Sequence, residues 1–146
     1  TLQSDTTNLN NTVLRLLDLF GADIKFLRDP TRGGVASALN EIARDTHLGV
    51  EIQQEAIKVR EEVAGACEML GLDPLFVANE GVFLMIVAAG RATQILEELR
   101  RLPNGADAAI IGEIVEEHPR QVVLHSRVGG RRVVSMPAGE QLPRIC

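Results

Sequence analysis

Aromatic residues are almost absent from this sequence, which has four Phe and neither Trp nor Tyr among its 146 residues. Proteins that bind single-stranded nucleic acid stack bases on aromatic rings, so the shortage argues against that class. The 15 basic residues are scattered and outnumbered by 20 acidic ones, which leaves a net charge of −5 and no basic face to follow a phosphate backbone. We therefore expect no nucleic-acid partner and a core built from aliphatic side chains.

Cysteine and long apolar runs are also scarce. The two cysteines, Cys67 and Cys146, do not make a disulfide framework of the kind found in small secreted domains, which favours a reducing, cytoplasmic compartment. No segment approaches the roughly 18 consecutive apolar residues of a membrane-spanning helix, so we expect no membrane partner. The sequence begins with Thr1 and lacks a signal-peptide pattern, and we interpret it as a piece of a longer protein.

Hydrophobic periodicity predicts helices between strands early in the chain and successive strands late. Helical spacing occurs at residues 11–20, about 35–46, 63–71 and 95–102. Strand patterns occur at residues 50–53, 82–87, 109–115, 121–127 and 132–134, with Gly129-Gly130 as a two-residue hairpin loop and residues 24–26 as a short connection. The elements predict one α+β domain over residues 1–135, with a mixed, largely antiparallel sheet layered with helices.

Residues 136–146 contain two prolines, one glycine and no apolar period, which predicts an extended or mobile tail ending in Cys146. Its last ten residues span at most roughly 33 Å, enough to carry a sulfur between two sites. Prenylation requires the cysteine four residues from the end. A disulfide with Cys67 would draw the tail onto a helix position that we interpret as core. A carrier or nucleophilic thiol and an incidental chain end both remain open from the residues alone.

Two internal motifs are candidate ligand sites. The first, from Asp29 to Gly34, is a turn-forming cluster before a helix, where Gly33, Gly34 and the guanidinium of Arg32 suit a phosphate group. The alternative is that Asp29 or Thr31 caps the helix and the glycines only form the turn.

The second motif is Ala78-Asn79-Glu80-Gly81, a polar pair before an apolar strand. A partly desolvated carboxylate there would have a raised pKa suited to a general base. The alternative is a turn in which Asn79 and Gly81 adopt positive φ and Glu80 is solvated.

The combination of three motifs resembles the signatures of the HypE family of hydrogenase maturation factors. The matching segments are Asp29-Pro30-Thr31-Arg32-Gly33-Gly34, Ala78-Asn79-Glu80-Gly81 and the ending Pro143-Arg144-Ile145-Cys146. The first motif alone is also similar to aminoimidazole ribonucleotide synthetase and selenophosphate synthetase, whereas the cysteine ending is specific to HypE. A selenophosphate synthetase-like phosphoryl-transfer domain and a non-catalytic docking module for maturation partners are the alternative functions.

The resemblance implies ATP-dependent dehydration of a carbamoyl group carried by Cys146, which yields a thiocyanate for the cyanide ligands of nickel-iron hydrogenase. It implies HypF as the carbamoyltransferase, a HypC–HypD complex as the acceptor, and a homodimer when full length. By motif position, Glu80 is the base, and Asp29, Arg32, Gly33 and Gly34 line the phosphate end or a docking groove for the tail. ATP and magnesium are bound mainly by an N-terminal domain, so these residues alone are expected to be inactive.

Overall fold

The computed structural model describes residues 8–136, which contain four α-helices and six strands. The helices are α1 (Asn10–Phe20), α2 (Gly34–Thr46), α3 (Glu61–Leu70) and α4 (Ala92–Arg101). The strands are β1 (Ile24–Arg28), β2 (Gly49–Gln53), β3 (Leu84–Val87), β4 (Gly112–Val115), β5 (Val122–His125) and β6 (Arg131–Val133). Short 3₁₀ turns lie at Gln54–Ala56, Pro74–Phe76 and Ala89–Arg91. The predicted α+β class is confirmed.

The strands form two sheets. β1 pairs with β3 antiparallel, and a four-stranded sheet has the order β4-β2-β5-β6. In that sheet β2 and β5 are parallel, whereas β2–β4 and β5–β6 are antiparallel. The residues predicted as a connection at 24–26 belong to a strand, and an irregularity between Ile24 and Phe26 breaks the alternation that would have revealed it.

A larger hydrophobic cluster lies between α2 and the four-stranded sheet. Val50 and Ile52 of β2 face the helix because side chains alternate along a strand, which leaves Glu51 between them on the opposite face. The buried members of this cluster are Ala36, Leu39, Ile42, Ala43, Val50, Ile52, Leu75, Val122, Leu124 and Val134. Its alanines lie on α2, so the helix backbone can approach the sheet closely.

A smaller cluster lies under α1 and α4, where Leu16, Ile95 and Leu99 are buried together. The β1–β3 sheet separates the two clusters. Ile86 packs against the larger cluster, and its neighbour Met85 packs against the smaller one. Apolar cover on both faces explains why residues 82–87 form a continuous apolar run.

Of the three sequence predictions for α3, two are confirmed and one is wrong. Cys67 was predicted to be a small core residue, and it is buried, with 5% of its surface exposed. Leu70 was predicted on the same apolar face but is 71% exposed, because only one side of this short helix contacts the rest of the domain. The predicted end of the helix is confirmed, since Gly71 adopts φ 68° and donates its N–H to the Cys67 carbonyl.

The β5–β6 hairpin is confirmed, but five residues lie between the two strands, and the pairing of Ser126 with Gly130 leaves a loop of three residues, 127–129, rather than two. Ser126 donates its backbone N–H to the Gly130 carbonyl over 2.7 Å and accepts from Gly129 over 3.1 Å. Gly129 takes the left-handed position at φ 89°, as expected for the last residue of such a loop. None of the helices within residues 8–136 is long and apolar enough to cross a membrane.

Candidate functional site

The two internal motifs meet at the N-terminus of α2. Asn79 donates its backbone N–H to the carbonyl of Pro30 over 3.0 Å, which joins the two loops directly. Pro30 is fully buried beneath this contact. Segments separated by more than forty positions in the sequence therefore form one edge of the domain.

Gly33 and Gly34 are required by the backbone at this edge. Both adopt positive φ, at 73° and 61°, where a side chain would be strained. A Cβ atom on Gly34 would lie 2.6 Å from the carbonyl oxygen of Leu75 and 2.5 Å from that of Val77. The α2 backbone thus packs directly on the loop that leads to Glu80.

Neither Asp29 nor Thr31 caps α2 with its side chain, so that alternative is wrong. Gly33 occupies the N-cap position, and the backbone N–H of Gly34 donates to the Thr31 carbonyl over 3.0 Å. The glycines do form the turn, and their role at a phosphate site stays a prediction. The turn leaves the side chain of Asp29 on the surface.

Asp29, Arg32 and Glu80 are all exposed at this edge, whereas Gly34 is buried behind them. A guanidinium beside the positive end of a 13-residue helix is a suitable environment for a phosphate group. The alternative turn predicted for the second motif is not observed, because Asn79 does not adopt positive φ. The second part of that alternative, a solvent-exposed Glu80, is observed.

Asp73 fixes the start of the loop that leads to Glu80. One carboxylate oxygen accepts the backbone N–H of Leu75 over 3.0 Å and so caps the 3₁₀ turn. The other carboxylate oxygen lies 2.5 Å from the Arg132 guanidinium on β6. The loop of the second motif is therefore linked to the last strand of the sheet.

The segment that follows β6 runs along α2. The carbonyl of Val134 accepts from the Asn40 side-chain amide over 2.8 Å, and the Met136 sulfur lies 3.9 Å from the Ser37 hydroxyl. Val134 is fully buried. Cys146, the predicted carrier thiol, lies outside the described residues.

Sequence reasoning missed a cluster on the open face of the four-stranded sheet. The Nε2 atom of His125 lies 2.9 Å from one carboxylate oxygen of Glu51, and Nε2 of His118 lies 3.5 Å from the other. Because β2 and β5 are parallel neighbours, these side chains meet although their sequence spacing gave no such signal. Among residues 8–136 no group of three or more His, Cys, Asp or Glu has the arrangement of a metal site.

A groove of about 410 Å³ lies away from both motifs, between β1, β4 and the C-terminal half of α2. Phe26, Ile42 and Ile86 form part of its apolar lining, and the Arg28–Glu41 ion pair lies at its rim. Its lining includes none of the predicted site residues.

On one side of the groove, the hydrogen bond from Arg44 holds the pKa of the Asp45 carboxyl below its usual range. Both side chains are exposed, so this interaction is a surface feature of α2.

Fold and site together define a domain of the aminoimidazole ribonucleotide synthetase type. Residues 3–125 match the family described as AIR synthase related protein, C-terminal domain, and the chain belongs to that family. Within it, the chain is similar to carbamoyl dehydratase HypE of Bradyrhizobium diazoefficiens, with 49% identity over 143 residues that cover 98% of this chain and 41% of the relative. The resemblance predicted from the three motifs is confirmed, and the chain spans less than half the length of this relative.

Solved structures give the same result. A crystal structure of the hydrogenase maturation protein HypE in complex with ATP is 44% identical, with a TM-score of 0.88 over 98% of this chain and 44% of that one. A chain in a crystal structure of a HypE–HypF complex is 40% identical, with a TM-score of 0.87 over 93% of this chain and 44% of that one.

Proposed function

We propose that this chain is the C-terminal domain of a cytoplasmic carbamoyl dehydratase of the HypE type. The whole protein would convert an S-carbamoyl group on Cys146 into thiocyanate at the expense of ATP. The observation that carries the proposal is the 49% identity to a protein of that name over nearly the whole chain. The convergence of both internal motifs at one exposed edge supports it, because the reaction needs phosphate contacts and a base close together.

The chemistry balances without an oxidant or reductant. The amide oxygen of the S-carbamoyl group attacks the γ-phosphoryl group of ATP, and ADP leaves. The amide nitrogen loses its two protons while the carbon–oxygen bond breaks and phosphate departs with the original amide oxygen. One S-carbamoyl cysteine and one ATP therefore give one S-cyano cysteine, ADP and phosphate.

Glu80 is the base in this proposal, since a carboxylate can accept a proton from the amide nitrogen. Arg32 and the partly exposed backbone of Gly33 line the phosphate end, next to Asp29. These groups suit a nucleotide phosphate because they combine a bidentate donor with the positive end of a helix. Gly34 contributes indirectly, since it is buried and lets the two loops approach each other.

The remaining parts of the reaction belong to the whole protein and its partners. An N-terminal domain supplies most contacts to ATP and magnesium, and two copies form a homodimer. HypF delivers the carbamoyl group, which agrees with the solved HypE–HypF complex. A HypC–HypD complex receives the cyanide. Residues 1–146 alone should therefore show no dehydration with ATP.

Mass spectrometry tests the function directly. The full-length protein is incubated with the carbamoyltransferase, carbamoyl phosphate and ATP, and the peptide that contains Cys146 is followed over time. We expect a carboxamide adduct that then loses the mass of one water, and no adduct in a Cys146→Ser variant. A protein that forms no adduct but consumes selenide and ATP would support the phosphoryl-transfer alternative. Partner binding without covalent change would support a docking module.

The role of Glu80 has its own test. Glu80→Gln in the full-length protein should leave carbamoylation of Cys146 intact and slow dehydration by about 100-fold or more, because loss of a general base has effects of that order. Glu55→Gln is the matched control, since Glu55 is also exposed but lies at the 3₁₀ turn after β2. Equal dehydration rates for both variants would remove Glu80 from the mechanism.

A further inference from the structure

We propose that Asn40 and Ser37 are positioning residues that hold the root of the C-terminal segment on α2 and aim it at the edge formed by Arg32 and Glu80. The inference rests on the proposed carrier role of Cys146 and adds the place from which the carrier arm starts. When the segment that carries a thiol starts from a fixed point near the reacting groups, the effective concentration of the thiol at those groups is higher.

Asn40 is the main contact. Its side-chain amide donates to the Ala36 carbonyl over 2.9 Å and to the Val134 carbonyl over 2.8 Å, so both hydrogens are used. The first bond orients the amide on the helix, and the second holds the chain that follows β6. An apolar residue of similar size would leave the Val134 carbonyl without this donor.

Residues 134 to 136 have a definite direction along α2. Val134 is held by its backbone bond to Val122 and lies beside Asn40. Met136 lies beside Ser37, which is three residues and therefore about 4.5 Å closer to the helix N-terminus. Gly34 lies about another 4.5 Å further along. Residues 134–136 thus run towards the two converged motifs.

A third contact ties the same segment to the loop of Glu80. Arg132, two residues before Val134, binds the carboxylate of Asp73, which caps the turn leading to that loop. Three separate side-chain contacts, made by Asn40, Ser37 and Arg132, therefore hold residues 132–136 against α2 and the loop that leads to Glu80.

Disulfide trapping tests the direction without any assay of activity. In the full-length protein, Ala138→Cys is combined either with Thr31→Cys, before the N-terminus of α2, or with Arg44→Cys, in its last turn. Both partners are exposed: Thr31 precedes the N-terminus of α2, whereas Arg44 lies seven residues, about 10 Å, beyond Ser37 in the opposite direction. Under mild oxidation we expect the 138–31 crosslink, identified by mass spectrometry, to form at least about ten times faster than the 138–44 crosslink. Similar rates for the two pairs would overturn the inference.

The same trapping experiment identifies the residues responsible. Adding Asn40→Leu should reduce the rate difference to less than about threefold, whereas Thr46→Val should leave it unchanged. Thr46 is the control because it also binds a helix carbonyl, that of Ile42, but at the far end of α2. Ser37→Ala provides a milder variant if Asn40→Leu does not fold, and it should reduce the difference partially. A full difference in a folded Asn40→Leu protein, or in Ser37→Ala, would contradict the assignment.

An activity measurement then separates the two proposals. Asn40→Leu should accept the carbamoyl group at a rate within about twofold of the unchanged protein, since transfer from a partner needs only an accessible thiol. Its dehydration kcat should fall about tenfold with an unchanged KM for ATP. If a Cys146→Ser protein still dehydrates while directional trapping persists, the proposed function fails and the positioning remains. If trapping shows no direction while Cys146 is still required, the inference alone fails.

Discussion

The two halves of the domain use hydrophobic burial for different purposes. The larger cluster, around α2 and the four-stranded sheet, includes Leu75 in the loop before the second motif and Val134 at the end of the sheet. The smaller cluster, around Leu16, Ile95 and Leu99, holds two helices on the far side of the β1–β3 sheet. Packing of the larger cluster therefore fixes the candidate site. Packing of the smaller cluster mainly supports β1, the strand that leads into the first motif.

The difference between the two hydrophobic clusters shows that the candidate site depends on long-range packing and not only on local turns. Leu75 belongs to the loop between α3 and β3, and Val134 follows the last strand, yet both pack against α2. A change in this cluster should alter stability and site together. A change in the smaller cluster should mainly alter stability.

Truncation of one leucine in each cluster tests this contrast most strongly. Leu124→Ala in the larger cluster should reduce the free energy of unfolding by about 3 to 5 kcal/mol, and Leu16→Ala in the smaller one by about 2 to 3 kcal/mol. Both side chains are 1% exposed, but the smaller cluster has three buried residues against ten in the larger one, so the site of Leu16 can collapse more readily. Urea unfolding followed by circular dichroism measures both. A larger loss for Leu16→Ala would reverse the comparison.

Two glycine substitutions, one in each half of the domain, compare a tightly packed glycine with an unpacked one. Gly34→Ala should lower stability by about 2 to 4 kcal/mol, because its new Cβ would meet two carbonyl oxygens at a positive φ. Gly90→Ala, between β3 and α4, has nothing within 4 Å of the new Cβ and should change stability by less than about 0.5 kcal/mol. Thermal unfolding compares them. A neutral Gly34→Ala would show that the two loops can separate without cost.

One ion pair in each half provides a finer comparison. Asp73→Ala removes both the turn cap and the Arg132 contact, and it should cost about 1 to 2 kcal/mol. Arg15→Ala removes the pair with Glu98 between α1 and α4, in which the Arg15 side chain is 57% exposed. Exposed pairs contribute little, so about 0.5 kcal/mol or less is expected. Equal losses in chemical denaturation would mean that Asp73 contributes no more than a surface pair.

The smallest effect is expected on the solvent face of α2. Arg44→Gln should raise the pKa of Asp45 towards its ordinary value of about 3.9, because the hydrogen bond that lowers it is lost. With a depressed folded pKa, this carboxylate contributes stability above the unfolded pKa and loses it as the pH falls through the folded pKa. The slight loss of stability in Arg44→Gln should therefore be present above roughly pH 4 and disappear as the pH falls below it. An NMR titration of the Asp45 carboxyl measures the shift, and an unchanged pKa would contradict the assignment.

Sequence patterns were informative where the determinants are local. The helix after Gly34, the end of α3 at Gly71 and the β5–β6 hairpin follow from periodicity and turn residues. Strand β1 was missed because its irregular pairing at Ile24 and Phe26 interrupts the two-residue period. Splitting into two sheets was not predictable, since it depends on which strands meet across the whole chain.

The candidate site was likewise only partly predictable from the sequence. Both motifs were identified from their residue types and order, but their contact through Pro30 and Asn79 depends on tertiary packing. Asn40 gave no signal, because a polar residue in a helix is usually on the surface. The roles of Cys146, Glu80, Asp29, Arg32, Gly33 and Gly34 stay predictions, as does the division at residue 135.

The parallel pairing of β2 with β5 also has a kinetic consequence. Val50 lies opposite Val122, so the central strands of the larger sheet can join only when most of the domain has been synthesised. Non-local pairing of this kind slows folding. Because β6 pairs with β5, the Asn40 bond to Val134 also depends on that non-local pairing, and the proposed positioning would be complete only in the folded domain.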